Sequence, residues 1–306
     1  MRTLRGSLYA LAAMASVGSS AAVSPLINHY PLLAGQAWRY LVAGLLLAAA
    51  GRRAGRSGDP SAGPRPTPCT ARQWGRLALL AATGMAGFNV FLLHAVRHTD
   101  PATVGAVVGA TPVVLALAGP LGAGRRPSAR IALCAAIATV GVWVIQAAGP
   151  VSGPGLLYAF GALVCECCFS LLAVDLLPRL GPRRVSALAS LLAAPMLGVV
   201  SAVVEGRGAL AWPTGTEWLA LGYLTLVVTA LAFFLWYASI DLLGVDRAGL
   251  FAGVIPLSAV LLGPLLGTGH LTGPMLVGAV AVAAAVLHGV SAPAESAVRP
   301  GEPVAP

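Results

Sequence analysis

Hydrophobic residues run in long blocks separated by short polar gaps. The blocks fall at about 7–27, 32–50, 75–96, 102–122, 129–148, 154–174, 185–204, 218–240, 247–267 and 274–291. Each approaches the roughly 20 residues that cross a hydrocarbon core about 30 Å thick. The blocks are rich in Leu and Ala and lack period-two alternation, so they predict helices and not barrel strands. The expected fold is an all-α integral membrane protein with ten transmembrane helices.

The blocks repeat. Gly105, Gly109, Pro112, Leu117, Gly119, Pro120 and Leu121 recur at one constant offset as Gly249, Gly253, Pro256, Leu261, Gly263, Pro264 and Leu265. Gly6, Leu8, Tyr9, Ala10 and Ala13 recur in the same way as Gly155, Leu157, Tyr158, Ala159 and Ala162. Chance does not keep so many glycines and prolines in register, so the chain reads as a tandem duplication. The expected units are a first five-helix repeat over 1–150, containing a polar loop at 51–76, and a second over 151–291. A tail at 292–306 lacks apolar periodicity and is expected to be disordered.

Charge sets the orientation. Of the 306 residues, 58% are hydrophobic and 9% charged, against roughly 25% charged in a soluble domain. The net charge of +9 comes from arginine alone, because the sequence holds no lysine. The Ala/Gly/Arg-rich composition is that of a GC-rich bacterial genome, which makes the expected location the bacterial inner membrane. With the N-terminus placed inside, the inner segments carry Arg2, Arg5, the arginines of 51–76, Arg125, Arg126, Arg130, Arg179, Arg183, Arg184, Arg247 and Arg299. The outer segments carry only Arg97 and Arg207. This asymmetry puts both termini in the cytoplasm. It also explains the basic pI without nucleic acid.

Five spans per half is an odd number, so the second half must sit inverted relative to the first. The turn closing the first fourth span reads GAGRRP, whereas its counterpart reads GTGHLT. Positive charge stands only at the corner predicted to lie inside.

Two other readings of local segments lose to simpler ones. Arg2, Arg5 and the following apolar run imitate a signal peptide, with SSAAVS as a cleavage site, but the second half repeats this segment as a helix. Cys165, Cys167 and Cys168 form a cluster, yet no further Cys or His converges in sequence to complete a metal site, so packing is the expectation. The five cysteines imply no disulfide framework. No cofactor is expected, since no Walker A loop, dinucleotide motif or HExxH motif is present.

Charges inside the bilayer need a reason, since each costs at least about 2.5–3.5 kcal/mol on insertion scales. Arg39 lies roughly 12 Å below the outer end of its span and Glu166 roughly 16 Å below the outer end of its own, at helical rise. Both depths are near the midplane. Gln36, Arg39 and Tyr40 share one helix face, and Ala159, Glu166, Ser170 and Ala173 share another. A carboxylate withdrawn from water favours its neutral form, which suits reversible protonation. Glu166 is the candidate to take a proton or bind a cation, and Arg39 to pair with it or with an anionic solute group. The plain alternative is a structural Arg39–Glu166 bridge.

Pro112 and Pro256 sit in mid-span, where proline removes a hydrogen bond and opens the helix. Paired breaks in two inverted halves point to a gate or a binding site, against a simple packing kink. Asn89, Tyr158, Trp236 and Tyr237 join the candidate lining, with His94 read as solvated near the outer surface. Trp38, Trp74, Trp212 and Trp218 read as interface anchors.

On these residues the sequence resembles the drug/metabolite transporter superfamily, specifically the ten-helix EamA-type family. The resemblance spans about Leu4 to Ser291. It rests on the two halves, Arg39, the Gly/Pro-rich fourth and ninth spans with their Gly-x-Gly turns, and the run LWYASIDLLG. It implies a central cavity between the halves and alternating access without ATP. Arg125 and His270 replace the glutamates common at those turns, and Val17–Gly18 replaces a Trp-Gly-like pair, with Glu166 aligned to Val17.

The sequence reading is therefore a non-enzymatic secondary transporter, more an exporter than an importer, of a small organic metabolite, amino acid or drug-like solute. Protons are a candidate coupling ion, the lipid bilayer is the surroundings, and a homodimer is left open. The rival classes are an intramembrane enzyme using Glu166 with a cysteine, and a non-transporting scaffold.

Overall fold

The computed structural model describes residues 2–27, 29–56, 68–146, 152–265 and 272–291. The tail 292–306, much of the loop 51–76 with Arg65, and the turn bearing His270 lie outside them.

We number the helical elements α1 (Arg2–Val23), α2 (Leu32–Arg56), α3 (Ala71–His98), α4 (Pro101–Gly122), α5 (Ala129–Gln146), α6 (Gly153–Val174), α7 (Leu177–Val204) and α8 (Gly215–Leu243). A broken element α9 follows (Val245–Gly249, Leu250–Gly253 and Val254–Leu265), then α10 (Gly273–Val290). Among the described residues, eight of these helices are long and apolar enough to cross a membrane; α1 and α9 are not among the eight. Every described element is helical. Large apolar side chains face outward, including Leu157 at 72%, Leu219 at 79% and Val203 at 80% exposure. A soluble protein does not leave so much apolar surface in water, whereas lipid accepts it.

The ends of the helices follow local rules. Thr70 and Thr214 each begin a capping box, closed by Gln73 and Glu217, and Asp100 and Ser152 cap α4 and α6 with a proline just inside. These groups satisfy backbone N–H donors that have no helical partner. Glu205 serves another helix. At the end of α7 its carboxylate accepts from the backbone of Leu33 (2.8 Å) and Ala34 (3.0 Å) at the start of α2, and from Ser201 (2.6 Å). An anion at a helix N-terminus is favoured by the helix dipole as well as by the hydrogen bonds. α7 begins earlier than the hydrophobic pattern predicts, because a first turn precedes Gly181, whose φ of 73° only glycine adopts easily.

The two halves do not form separate bodies. The main packings are α2 on α7 and α5 on α10. α1 packs on α8 and α9, and its counterpart α6 packs on α3 and α4. One core cluster accordingly takes Leu33, Leu77 and Leu115 from the first half and Leu197, Tyr237 and Leu250 from the second.

The repeated glycines explain themselves at these crossings. A side chain at Gly109 would strike Val142 of α5, and one at Gly253 would meet Val282 of α10. Gly141 and Gly278 face each other so closely that a methyl on either would sit within 2.8 Å of the other's carbonyl. Small residues allow such backbone approach in helical membrane proteins.

Irregularities also come in pairs. α3 carries a π-helical segment at Ala81–Gly87 and α8 carries one at Leu224–Leu231, each in the third helix of its half. α4 breaks at Gly109–Ala110, and α9 passes through a 3-10 turn at Leu250–Gly253. Pro112 lies at the second position of the helical segment restarting at Thr111, and Pro256 at the third position of Val254–Leu265. In the first turn a missing proline N–H costs nothing, because that donor has no helical partner anyway.

Candidate functional site

α2 packs on the π segment of α8 and is tied by a hydrogen bond to Asn89, just past the π segment of α3. In α3 the Asn89 amide donates to the carbonyl of Met85 (2.8 Å), inside the π segment, and to the Tyr40 hydroxyl (3.0 Å). In α8 the Thr229 hydroxyl donates to the carbonyl of Leu224 (2.9 Å), also inside a π segment, and accepts from Arg39. The guanidinium reaches it through Nη2 at 3.0 Å and Nε at 3.3 Å. Two adjacent residues of α2 are thus held by the irregular turns of the two halves. A π turn leaves carbonyls that side chains can use, and such turns often stand at functional sites.

Aromatic residues close the cluster. Phe169 packs against Phe233 at 4.9 Å and Tyr237 at 5.0 Å between ring centres, and Tyr40 lies 6.0 Å from Phe233. The Trp236 indole donates to Ser170 (3.1 Å) and the Tyr237 hydroxyl to the Phe169 carbonyl (3.2 Å). Tyr40, Asn89, Ser170, Thr229, Trp236 and Tyr237 are all buried.

Glu166 precedes Phe169 and Ser170 by one turn and shares their helix face. It lies within electrostatic reach of Tyr40 and Tyr237. Arg39 and Glu166 keep partial exposure while their polar neighbours are buried. No ion pair joins them: the guanidinium of Arg39 is hydrogen-bonded to Thr229. Gln36, one turn above Tyr40 on α2, has a buried carbonyl oxygen without a hydrogen-bond partner.

Of the residues singled out by sequence, Arg39, Tyr40, Asn89, Glu166, Ser170, Trp236 and Tyr237 come together here. Tyr158 does not. It stacks on His94 at 5.1 Å, with His98 at 5.4 Å and Phe91 at 6.4 Å, two turns nearer the start of α6. His94 is thereby half-buried against a ring and not simply solvated. Pro112 and Pro256 mark the breaks in α4 and α9 and contribute no polar group. Thr229, Phe169 and Phe233 were not singled out; the two threonines, Thr225 and Thr229, within the apolar run TLVVTALAFF were the one available signal. Among the described residues no three His, Cys, Asp or Glu side chains converge to hold a metal ion, and all five cysteines are free thiols.

A duplicated helical bundle with apolar outer surfaces and polar groups at its centre is a multi-pass membrane protein. The chain belongs to the EamA-like transporter family, whose model matches residues 4–147 and again residues 153–288. The two matches divide the chain where the internal repeat does. It is 27% identical over 259 residues to "Uncharacterized transporter YetK" of Bacillus subtilis (strain 168), across 82% of this chain and 76% of that protein. A solved crystal structure shares its fold with a TM-score of 0.77 at 20% identity, covering 92% of this chain and 95% of the other.

Proposed function

We propose that the protein is a secondary transporter that exports a small organic solute (a metabolite, amino acid or drug-like molecule) by alternating access without ATP. Its units are two five-helix repeats, 1–150 and 151–291, inverted in the bacterial inner membrane with both termini cytoplasmic. The observation that carries this reading is that Thr229 in the π segment of α8 and Asn89 beside the π segment of α3 hold adjacent residues of α2, next to a Glu166 with no ion-pair partner among the described residues. A purely structural arginine and glutamate in lipid would neutralise each other, because each alone is costly. Here neither has the other as a partner, although both residues sit among the polar and aromatic side chains at the centre of the bundle.

In this scheme Arg39 and Gln36 meet polar or anionic groups of the solute, and the aromatic wall of Tyr40, Trp236 and Tyr237 meets its apolar part. Glu166 takes the coupling proton. The breaks near Pro112 and Pro256 supply the flexible points at which α4 and α9 change shape. Tyr158, with His94 and His98, stands at the outer mouth and would be passed late in export.

Purified full-length protein in liposomes, tested without ATP against amino acids, nucleobases and cationic drugs, provides the test. Saturable flux of a panel member that falls in Arg39→Ala supports the reading. Solute flux equal to that of protein-free vesicles across the whole panel contradicts it and favours the scaffold class.

A further inference from the structure

Away from the central cluster, α5 and α10 enclose a groove of about 570 Å³. Its walls are ordered along the helices. At one end stand Arg130, His288 and Ser291; beyond them lie Leu133, Ile137 and Ala284. On α5 the step from Arg130 to Leu133 to Ile137 descends about two turns, and on α10 the step from Ser291 to His288 to Ala284 descends in parallel. A polar, cationic head therefore tops an apolar trough.

The cationic end is not neutralised by its own helices. Neither 125–146 nor 273–291 contains an acidic residue, while Arg125 and Arg126 stand exposed just before α5. Arg130 donates through Nη2 to the His288 carbonyl at 3.0 Å, and its Nε is buried with no hydrogen-bond partner. A half-buried guanidinium with an unmatched N–H is favoured by an anion alongside it. Leu133 and Leu287 remain 62% and 71% exposed, so the trough opens to the surroundings of the bundle.

We infer that the α5–α10 groove binds an anionic membrane phospholipid, with its phosphate at Arg130, His288 and Ser291 and one acyl chain along Leu133, Ile137 and Ala284. The order of polar and apolar walls matches an amphiphile standing in a leaflet, and its volume suits a headgroup with the upper part of one chain. Basic pockets between membrane helices near the cytoplasmic face commonly hold such headgroups. The inference rests on the membrane placement and on the end of α5 that the arginines put in the cytoplasm; it does not need the transport reading.

The test uses the full chain, purified in mild detergent and titrated with short-chain phosphatidylglycerol, phosphatidylcholine or inorganic phosphate, and read by native mass spectrometry and by melting temperature. Phosphatidylglycerol adducts are expected on the wild type, with affinity about fivefold weaker in Arg130→Gln, the weight of one cation near an anionic lipid. Because that variant also loses the bond to the end of α10, Ala284→Trp is the decisive one. It fills the trough, keeps the bond and should abolish the adduct. Equal binding of phosphatidylcholine, reproduction of the effect by phosphate alone, or an unchanged adduct in Ala284→Trp would each overturn the inference, as would a dimer that closes the groove. None of these results bears on solute flux, so failure here and failure of the transport reading are separable.

Discussion

The guanidinium of Arg39 is anchored to the hydroxyl of Thr229, 190 residues away, and not to the carboxylate of Glu166. Thr229 in turn spends its own proton on the Leu224 carbonyl of the α8 π segment. The next residue of α2, Tyr40, is held by Asn89, which bonds to the π segment of α3. Both halves therefore position one short stretch of α2, and they do so through turns whose backbone is irregular. Among the described residues, no countercharge is bound to Glu166 beside this stretch.

Removing the anchor should loosen Arg39. Thr229→Val keeps the shape of the side chain and deletes the acceptor, so it should cost about 1.5–3 kcal/mol, the range for a hydrogen bond to a charged group. Thr229→Ser should recover most of the loss. Thermal unfolding in detergent, followed by tryptophan fluorescence, gives the comparison. A valine variant as stable as the wild type would mean that the bond contributes nothing.

Glycine positions give predictions of opposite sign. At Gly18 an added carbon would collide with the Ser258 hydroxyl and the Ile255 carbonyl of α9, so Gly18→Val should destabilise by about 1–3 kcal/mol. At Gly198 in α7 nothing lies within 4 Å of an added carbon. Gly198→Ala there should stabilise by about 0.5–1 kcal/mol through helix propensity alone. Melting temperatures of the two variants should therefore move apart, and a Gly18→Val variant as stable as the wild type would refute the packing at the α1–α9 crossing.

The topology can be read from a native thiol. Cys69 precedes α3, where it accepts a hydrogen bond from Arg184, and the arginine pattern puts that end in the cytoplasm. In a variant keeping only Cys69, a membrane-impermeant maleimide should label inside-out vesicles and leave intact spheroplasts unlabelled. A variant with Arg207→Cys as its only thiol should behave in the opposite way. Labelling of Cys69 from the outside would reverse the assigned orientation.

Much of the fold was legible in the sequence because lipid imposes simple demands. Helical spans must be long and apolar, and the Gly/Pro register of 105–121 and 249–265 survives as paired breaks in α4 and α9. The π segments were not legible, since AATGMAG and LTLVVTAL contain no residue that forces a wide turn. The partner of Arg39 was hidden for a different reason: periodicity orders residues along one helix and says nothing of which distant helix it meets. Tyr158 was read as part of the lining, yet eight residues of helix, about 12 Å, separate it from Glu166.

A modest contact illustrates why position alone does not rank interactions. Arg76 and Asp175 approach to 2.5 Å between the start of α3 and the end of α6, with 33% and 61% of their side chains exposed. An exposed pair of this kind contributes about 0–1 kcal/mol. The buried polar contacts of α2 carry more weight with no full ion pair among them.

The most direct test of the account is proton movement in liposomes carrying the purified protein, with the Glu166→Gln variant as comparison. A pH gradient that collapses on addition of a transported solute, and persists in the variant, is the predicted result. Solute-dependent proton movement that is the same in Glu166→Gln and in the wild type would contradict the role given to Glu166.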